Sequence, residues 1–290
     1  MCFMPFYVFA WIGSFSSAFT VMVTKFTSKH AIANPWLFNF LWSFVILLFT
    51  IPPAIYYHAG WPHDWWPIVV AALFATLWYV FYILSMYKLD VSTISPLFNF
   101  RTVFAVLMGV LFLGEKFTTT QYLLCGLIVV AGVFATIDEN FSLRSFFKAA
   151  ILVGLSAMLF LALNNGFIKL ALVKNDLWTA NLWMAIVAFI MLFPTIPLFY
   201  KDIRKLEVVN VLPVAAMGVF QTVTNFAANI AYAANLGITS MIMAAPLSMV
   251  MVWILAFYAP NLLERHTHKV YAIRFVAAIV MIGSALQLSR

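Results

Sequence analysis

One arginine stands inside an apolar run of the sequence. The stretch SPLFNFRTVFAVLMGVLFLGE, residues 95–115, places Arg101 in a segment long enough to cross a bilayer. An arginine stays protonated, and placing it at mid-membrane costs about 2.5–3.5 kcal/mol on insertion scales. It therefore needs a polar partner or a wet cavity. Two interpretations are open: Arg101 binds the carboxylate or phosphate of a substrate, or helix-end carbonyls or a neighbouring polar side chain satisfy it.

A second candidate is a stripe of amides in GVFQTVTNFAANIAYAANLG. Gln221, Asn225 and Asn229 stand at positions i, i+4 and i+8, which share one face of a helix. An amide that faces lipid would lack hydrogen-bond partners, so the stripe should face the protein interior. It either lines a substrate pocket or joins neighbouring helices, at about 0.6 kcal/mol per bond.

The third apolar block, ALFATLWYVFYILSMYKLD, offers aromatic rings in place of amides. Counted back from the loops that follow, Trp78 and Tyr82 correspond to Asn225 and Asn229. Such rings can stack on a planar substrate or hold a cation, the latter at about 0.5–2 kcal/mol. Because 18% of the residues are aromatic, ordinary packing is the competing interpretation.

Four further asparagines are candidates for the same cavity. Asn164 and Asn165 precede Gly166 in LALNNGFIK, where they indicate either a bend that exposes backbone groups or simple packing. Asn39 and Asn181 each end a W-x-x-N pattern about one turn inside their apolar blocks.

Several kinds of chemistry are missing from the sequence. No Asp or Glu lies within the core of an apolar block, and all five histidines fall in predicted loops. A carrier driven by protons or sodium usually has an intramembrane acid or histidine, so uniport or exchange is predicted. His266 and His268 alone make a weak metal site. There is no phosphate-binding Gly-rich loop, HExxH or nucleophile elbow, so we predict no enzyme, no metal and no cofactor.

The elements that position these residues are membrane helices. The chain has 290 residues, of which 65% are hydrophobic and 9% charged, and its mean hydropathy is +1.02. These values predict an all-α membrane protein, because soluble domains carry about 25% charged residues. The net charge of +7 comes from Lys and Arg in short loops, which argues against nucleic acid as a partner. The apolar blocks predict about ten transmembrane helices: 4–24, 35–55, 66–87, 92–112, 120–137, 147–168, 177–199, 209–233, 238–258 and 269–288.

Weak internal repetition divides these helices into two halves. The W-x-x-N pattern occurs in the second and seventh blocks, and SPLF and APLS place Pro96 and Pro246 in the fourth and ninth. Five helices per half is an odd number, so the halves must enter the membrane in opposite directions. We therefore predict two inverted repeats within one membrane domain, residues 1–140 and 141–290, with hinges at Pro96 and Pro246.

The stretch LFLGEKFTTTQYLLCGLIVVAGVFAT, residues 111–136, resembles the end of a repeat in the EamA-type members of the drug/metabolite transporter superfamily. That signature has an acidic residue after Gly, then Gln, then spaced glycines. Its places are occupied by Gly114, Glu115, Gln121, Gly126 and Gly132. The second half keeps chiefly Glu264 and Gly283. The resemblance implies a ten-helix metabolite transporter in the cell (inner or plasma) membrane.

These observations together predict a secondary transporter that works by alternating access. The substrate is a small amphipathic solute, such as a bulky amino acid, with its negative group on Arg101. The alternative is a flippase for a lipid or lipid-linked sugar, or an accessory membrane subunit. Expected partners are the solute and membrane lipid.

Two indications of orientation disagree. The loops on the side of the N-terminus carry four basic residues and the opposite loops carry ten, which places the N-terminus outside the cytoplasm. The family resemblance implies that both termini lie inside.

Overall fold

The computed structural model describes residues 4–89, 91–136, 149–245, 247–248, 250–251, 254 and 268–288. Within these ranges the regular structure is helical and no strand occurs. The all-α class is therefore confirmed for the described part of the chain.

The first half of the chain forms five helices. They are α1 (Phe6–His30), α2 (Pro35–Tyr56), α3 (Trp66–Lys88), α4 (Val91–Phe112) and α5 (Thr119–Thr136).

The second half begins with α6 (Ala149–Ala171) and α7 (Leu177–Met191), which a 3-10 helix (Phe193–Leu198) follows. After it come α8 (Tyr200–Ile203), α9 (Val208–Ala234), α10 (Leu236–Met243) and α11 (His268–Leu288). Among the described residues, α1, α2, α3, α6 and α9 are long and apolar enough to cross a membrane, and four shorter apolar helices accompany them.

Matching caps start α2 and α7. The side chain of Asn34 accepts hydrogen bonds from the backbone of α2, and Asp176 does the same for Trp178 and Thr179 of α7. Partial burial of the Asp176 carboxyl raises its pKa, but the hydrogen bonds from Thr179 and Trp178 outweigh burial and hold the pKa below its usual value. Each cap therefore fixes the start of the helix that carries a W-x-x-N pattern.

Three helices have boundaries that differ from those predicted. Helix α1 continues to His30, so Lys25 is a buried helical residue rather than a loop residue. Lys169 likewise lies inside α6. The predicted span 177–199 is shorter, because α7 ends at Met191 and the chain becomes a 3-10 helix that contains Pro197. Proline lacks the backbone donor that a continuous helix would need there.

The helices connect at two opposite ends. Connections 57–65, 113–118 and 172–176 meet at what we call the Glu115 end, and connections 31–34 and 192–207 meet at the Asn34 end. A 22-residue helix such as α2 spans about 33 Å between them. Helix α3 packs along α6, α1 packs along α9, and α5 packs against α11.

The predicted proline hinges have different outcomes. Helix α4 continues without a break through Pro96. Helix α10 ends at Met243, shortly before Pro246, which lies outside the described residues. Between α9 and α10 the backbone of Asn235 is extended (φ −151°, ψ 115°), so the helix is interrupted there.

Candidate functional site: a central polar cavity

A small cavity lies between α1, α3, α4, α6, α7, α9 and α10. Its volume is about 40 Å³, which holds a few water molecules. Eight of the ten residues predicted to bind substrate line it: Trp78, Tyr82, Arg101, Asn164, Asn165, Gln221, Asn225 and Asn229. The fold thus gathers most of these polar and aromatic residues from four helices of both halves at one place, the arrangement that a binding site requires.

Arg101 contributes a positive charge to the cavity wall. It lies on α4 and only 3% of its surface is exposed. The described lining contains no Asp, Glu, Lys or His. Unlike the amides around it, its guanidinium is permanently charged, so it gives the cavity lining a positive charge.

The amide stripe of α9 faces the protein interior. Gln221 donates from Nε2 to Asn225 Oδ1 at 2.8 Å, and Asn229 donates from Nδ2 to Asn181 Oδ1 at 2.7 Å. Asn181 in turn donates to the Leu177 carbonyl at 2.8 Å. The stripe therefore both lines the cavity and joins α9 to α7.

The two asparagines of α6 also bond to neighbouring helices. Asn164 Nδ2 donates to the Ala71 carbonyl of α3 at 2.9 Å. Asn165 Nδ2 donates to the Tyr232 hydroxyl of α9 at 2.9 Å. These bonds orient both amides, and their carbonyl oxygens are the acceptors left for a ligand.

Of the two interpretations left open for Asn164, Asn165 and Gly166, the structure shows packing and no helix break. Helix α6 is continuous from Ala149 to Ala171. A Cβ on Gly166 would lie 2.3 Å from Met108 Cε and Sδ. The glycine therefore allows α4 to approach α6 closely and does not open a helical turn.

An aromatic cluster forms another part of the cavity lining. The ring centroids of Trp78 and Tyr79 are 4.9 Å apart, and those of Trp78 and Tyr82 are 5.9 Å apart. Trp42 supports all three rings from behind. The buried Trp78 Nε1 has no hydrogen-bond acceptor among the described residues. Since a buried indole N–H normally has a partner, Trp78 is suited to donate to a ligand.

Two predicted residues, Asn39 and Asn181, do not line the cavity. Asn181 points to Asn229 and to its own helix, as described above. Asn39 is buried in α2, which packs against α7 and α9 and contributes no lining residue. Neither amide atom of Asn39 has a partner within the described part of the chain. The structure therefore does not bring Asn39 and Asn181 into the cavity lining.

Sequence reasoning missed several lining residues. Tyr232 stands three positions after Asn229 and continues the amide stripe, so helical spacing could have found it. Tyr79 adjoins Trp78 but carried no separate signal. Ser17 and Thr20 come from α1, where nothing in the apolar sequence distinguishes the inward face.

Comparison with known families agrees with this architecture. The sequence model of the EamA-like transporter family matches residues 4–137. Residues 4–137 are therefore similar to the EamA-like transporter family. The resemblance predicted from residues 111–136 is thereby confirmed, and the match suggests a membrane transporter.

The fold extends beyond the part matched by the EamA model. A solved structure described only as "Crystal structure of protein" superposes with a TM-score of 0.68 at 14% identity. The match covers 96% of this chain and 98% of the other, so both halves share its fold. No curated protein sequence matches the chain.

Proposed function

We propose that the protein is a secondary transporter of a small amphipathic metabolite, bound in the central cavity and exposed alternately to each side of the membrane. The observation that carries the proposal is the meeting of Arg101, the α9 amides and the aromatic wall around one buried space. Intramembrane polar groups gathered at a cavity commonly mark a substrate pathway.

The lining favours an amino-acid-like substrate. Arg101 can hold a carboxylate through paired charge-assisted hydrogen bonds. The rings of Trp78 and Tyr82 can stack on an apolar or planar group, and the amides can bond to polar groups. A substrate with several negative charges fits less well, because the described lining offers a single cation.

The cavity volume supports a cycle of opening and closing. Ligand pockets usually enclose roughly 300–1,000 Å³, whereas this cavity has about 40 Å³. The helices must therefore separate before an organic solute can enter, which is what alternating access requires.

Helix pairing supports the proposal of two inverted halves, residues 1–140 and 141–290. If the sixth to tenth spans repeat the first five, α6 corresponds to α1 and α9 to α3. The repeat symmetry then relates the contact between α3 and α6 to a contact between α9 and α1, and both contacts are present. Such halves can rock about a fixed central site, with Pro96 and Pro246 as proposed hinges.

Transport is proposed to proceed by uniport or exchange. No acid or histidine lies among the described lining residues, so the cavity offers no evident proton relay. The protein would act in the cell membrane, surrounded by lipid and without a cofactor or enzymatic step.

Thermal stabilisation of the purified protein tests the proposal. A panel of amino acids, nucleosides, quaternary amines and lipid head groups is screened for a rise in Tm, because a ligand stabilises the state that it binds. We expect one class of small solute to raise Tm, and R101A to abolish that rise. R101K, which keeps the charge but loses the planar fork, should retain a part of it.

Two outcomes would contradict this function. A rise in Tm with lipid head groups alone would favour the flippase. A solute-induced rise in Tm that is unchanged in a folded R101A variant would show that the solute binds elsewhere. Flux into proteoliposomes, measured with and without a pH gradient, then tests uncoupled transport; strict dependence on the gradient would contradict it.

A further inference from the structure

A buried carboxylate joins three elements at the Glu115 end. The side chain of Glu115 accepts hydrogen bonds from the backbone N–H groups of Leu236 at 2.6 Å and Gly237 at 3.0 Å. It also forms an ion pair with Lys169 of α6. Only 6% of the Glu115 side chain and 17% of the Lys169 side chain are exposed, so water screens this pair weakly.

Glu115 completes the cap of a helix in the other half of the chain. The first N–H groups of α10 have no partner within their own helix. Asn235 Oδ1 accepts from Ile238 N at 2.7 Å, and Glu115 accepts from the two residues before Ile238. The carboxylate is also favoured by the positive end of the α10 dipole.

The local backbone conformation places this carboxylate beside the N-terminus of α10. Gly114 has φ +65°, a conformation that glycine adopts without strain. It turns the chain so that Glu115 N donates to the Gly109 carbonyl at 2.9 Å. A Cβ on Gly109 would lie 2.6 Å from Glu115 Oε2, so glycine at position 109 leaves room for the carboxylate.

This arrangement lies one helical turn from the cavity. Lys169 follows Asn165 by four residues on α6, and Leu236 follows Tyr232 by four residues across the α9–α10 junction. Along the continuous helix α6, four residues rise about 6 Å. Asn165 and Tyr232, themselves hydrogen-bonded, form the cavity layer, and the Glu115 contacts form the next layer outward.

We propose that Glu115, Lys169 and the N-terminus of α10 form a latch that closes the cavity at the Glu115 end. The latch ties the end of α4 to α6 and α10, so these elements cannot separate until the carboxylate releases its partners. This inference rests on the proposed transport function, because a latch between halves matters only if the cavity opens. Glu115 is thus a gating residue and not a substrate ligand.

Cysteine labelling tests the latch without any substrate. Cys2 and Cys125 are replaced by serine, and S17C is the reporter because Ser17 lines the cavity. Right-side-out and inverted membrane vesicles are treated with a membrane-impermeant thiol reagent. A separate V173C variant, exposed by 75% in the α6–α7 connection, shows which vesicles present the Glu115 end.

In those vesicles we expect E115A to accelerate S17C labelling on the order of tenfold, since charged hydrogen bonds are lost. K169M should accelerate it less, because the carboxylate still caps α10. The matched control is D64N, which breaks the Asp64–Lys174 pair at the same end, where 67% of the lysine side chain is exposed. D64N should leave the rate unchanged.

Folding of each variant is checked by size-exclusion chromatography, and K169M keeps the test valid if E115A fails to fold. Wild-type rates in a folded E115A or K169M variant would overturn the latch, as would equal acceleration by D64N. No solute is added in the labelling experiment. The labelling result can therefore contradict the latch while solute-induced stabilisation still supports transport, and it can support the latch when no solute stabilises the protein.

Discussion

The tight packing of α9 against α2 at Gly218 predicts that G218A destabilises the protein. Gly218 lies on α9, one turn before Gln221, and faces α2. A Cβ added there would lie 2.1 Å from Val45 Cγ1 and 2.9 Å from Val45 Cβ. Ordinary van der Waals contact begins at 3.4 Å, so the distance to Val45 Cγ1 is a severe clash.

Val45 cannot easily give way. It is buried in α2, and a β-branched side chain on a helix has one strongly preferred rotamer. Val45 Cβ, which no change of rotamer moves, lies 2.9 Å from the added atom, so the helices themselves must shift. Overpacking of this kind costs about 1–3 kcal/mol, or a fall in Tm of roughly 2–4 °C per kcal/mol.

Thermal unfolding in detergent, with G126A as the matched control, measures the effect. A Cβ on Gly126 of α5 meets no heavy atom within 4 Å, so G126A should keep or slightly raise Tm, since alanine favours helix. The double variant G218A/V45A should recover part of the loss, because shortening Val45 makes room for the new methyl. A G218A variant as stable as G126A would refute the packing of α2 on α9.

Two further predictions concern a cap and a ring. D176A should lower stability by about 1 kcal/mol, because the N-cap of α7 is lost. Since the folded-state pKa of Asp176 is lowered, the difference in Tm between D176A and wild type should be present at pH 7 and vanish as the pH falls through that pKa. A difference in Tm that persists at acidic pH would contradict this role of the carboxylate. W78F should keep an aromatic ring but weaken solute-induced stabilisation. W42F should leave that stabilisation unchanged, because Trp42 does not line the cavity, although its indole nitrogen is also unpaired within the described residues. Equal effects of W78F and W42F in the thermal shift assay would contradict a ligand contact at Trp78.

Much of the helical layout could be predicted from sequence, because apolar run length alone identifies a membrane helix. The predicted span 209–233 differs by one residue at each end from α9, Val208–Ala234. The inward face of α9 followed from the i, i+4, i+8 spacing of its amides. Arg101 was singled out because a charge is expensive in an apolar run.

Other features depend on contacts between distant parts of the chain. Asn39 and Asn181 share a W-x-x-N pattern, yet one supports Asn229 and the other lies in α2 away from the cavity. Spacing along one helix cannot show which side chains of other helices lie between a residue and the cavity. The Glu115 contacts with Leu236 and Gly237 join residues more than 120 positions apart, and no local pattern in the sequence indicates them.

Blocking the cavity during transport tests the central claim most directly. In a chain with Cys2 and Cys125 replaced by serine, T224C places a thiol on the cavity wall of α9, and V173C places one in the exposed α6–α7 connection. Uptake of the stabilising solute into proteoliposomes is measured before and after complete modification with a bulky maleimide. We predict that modified T224C loses uptake while modified V173C keeps it. Undiminished uptake by fully modified T224C would contradict passage of the solute through this cavity.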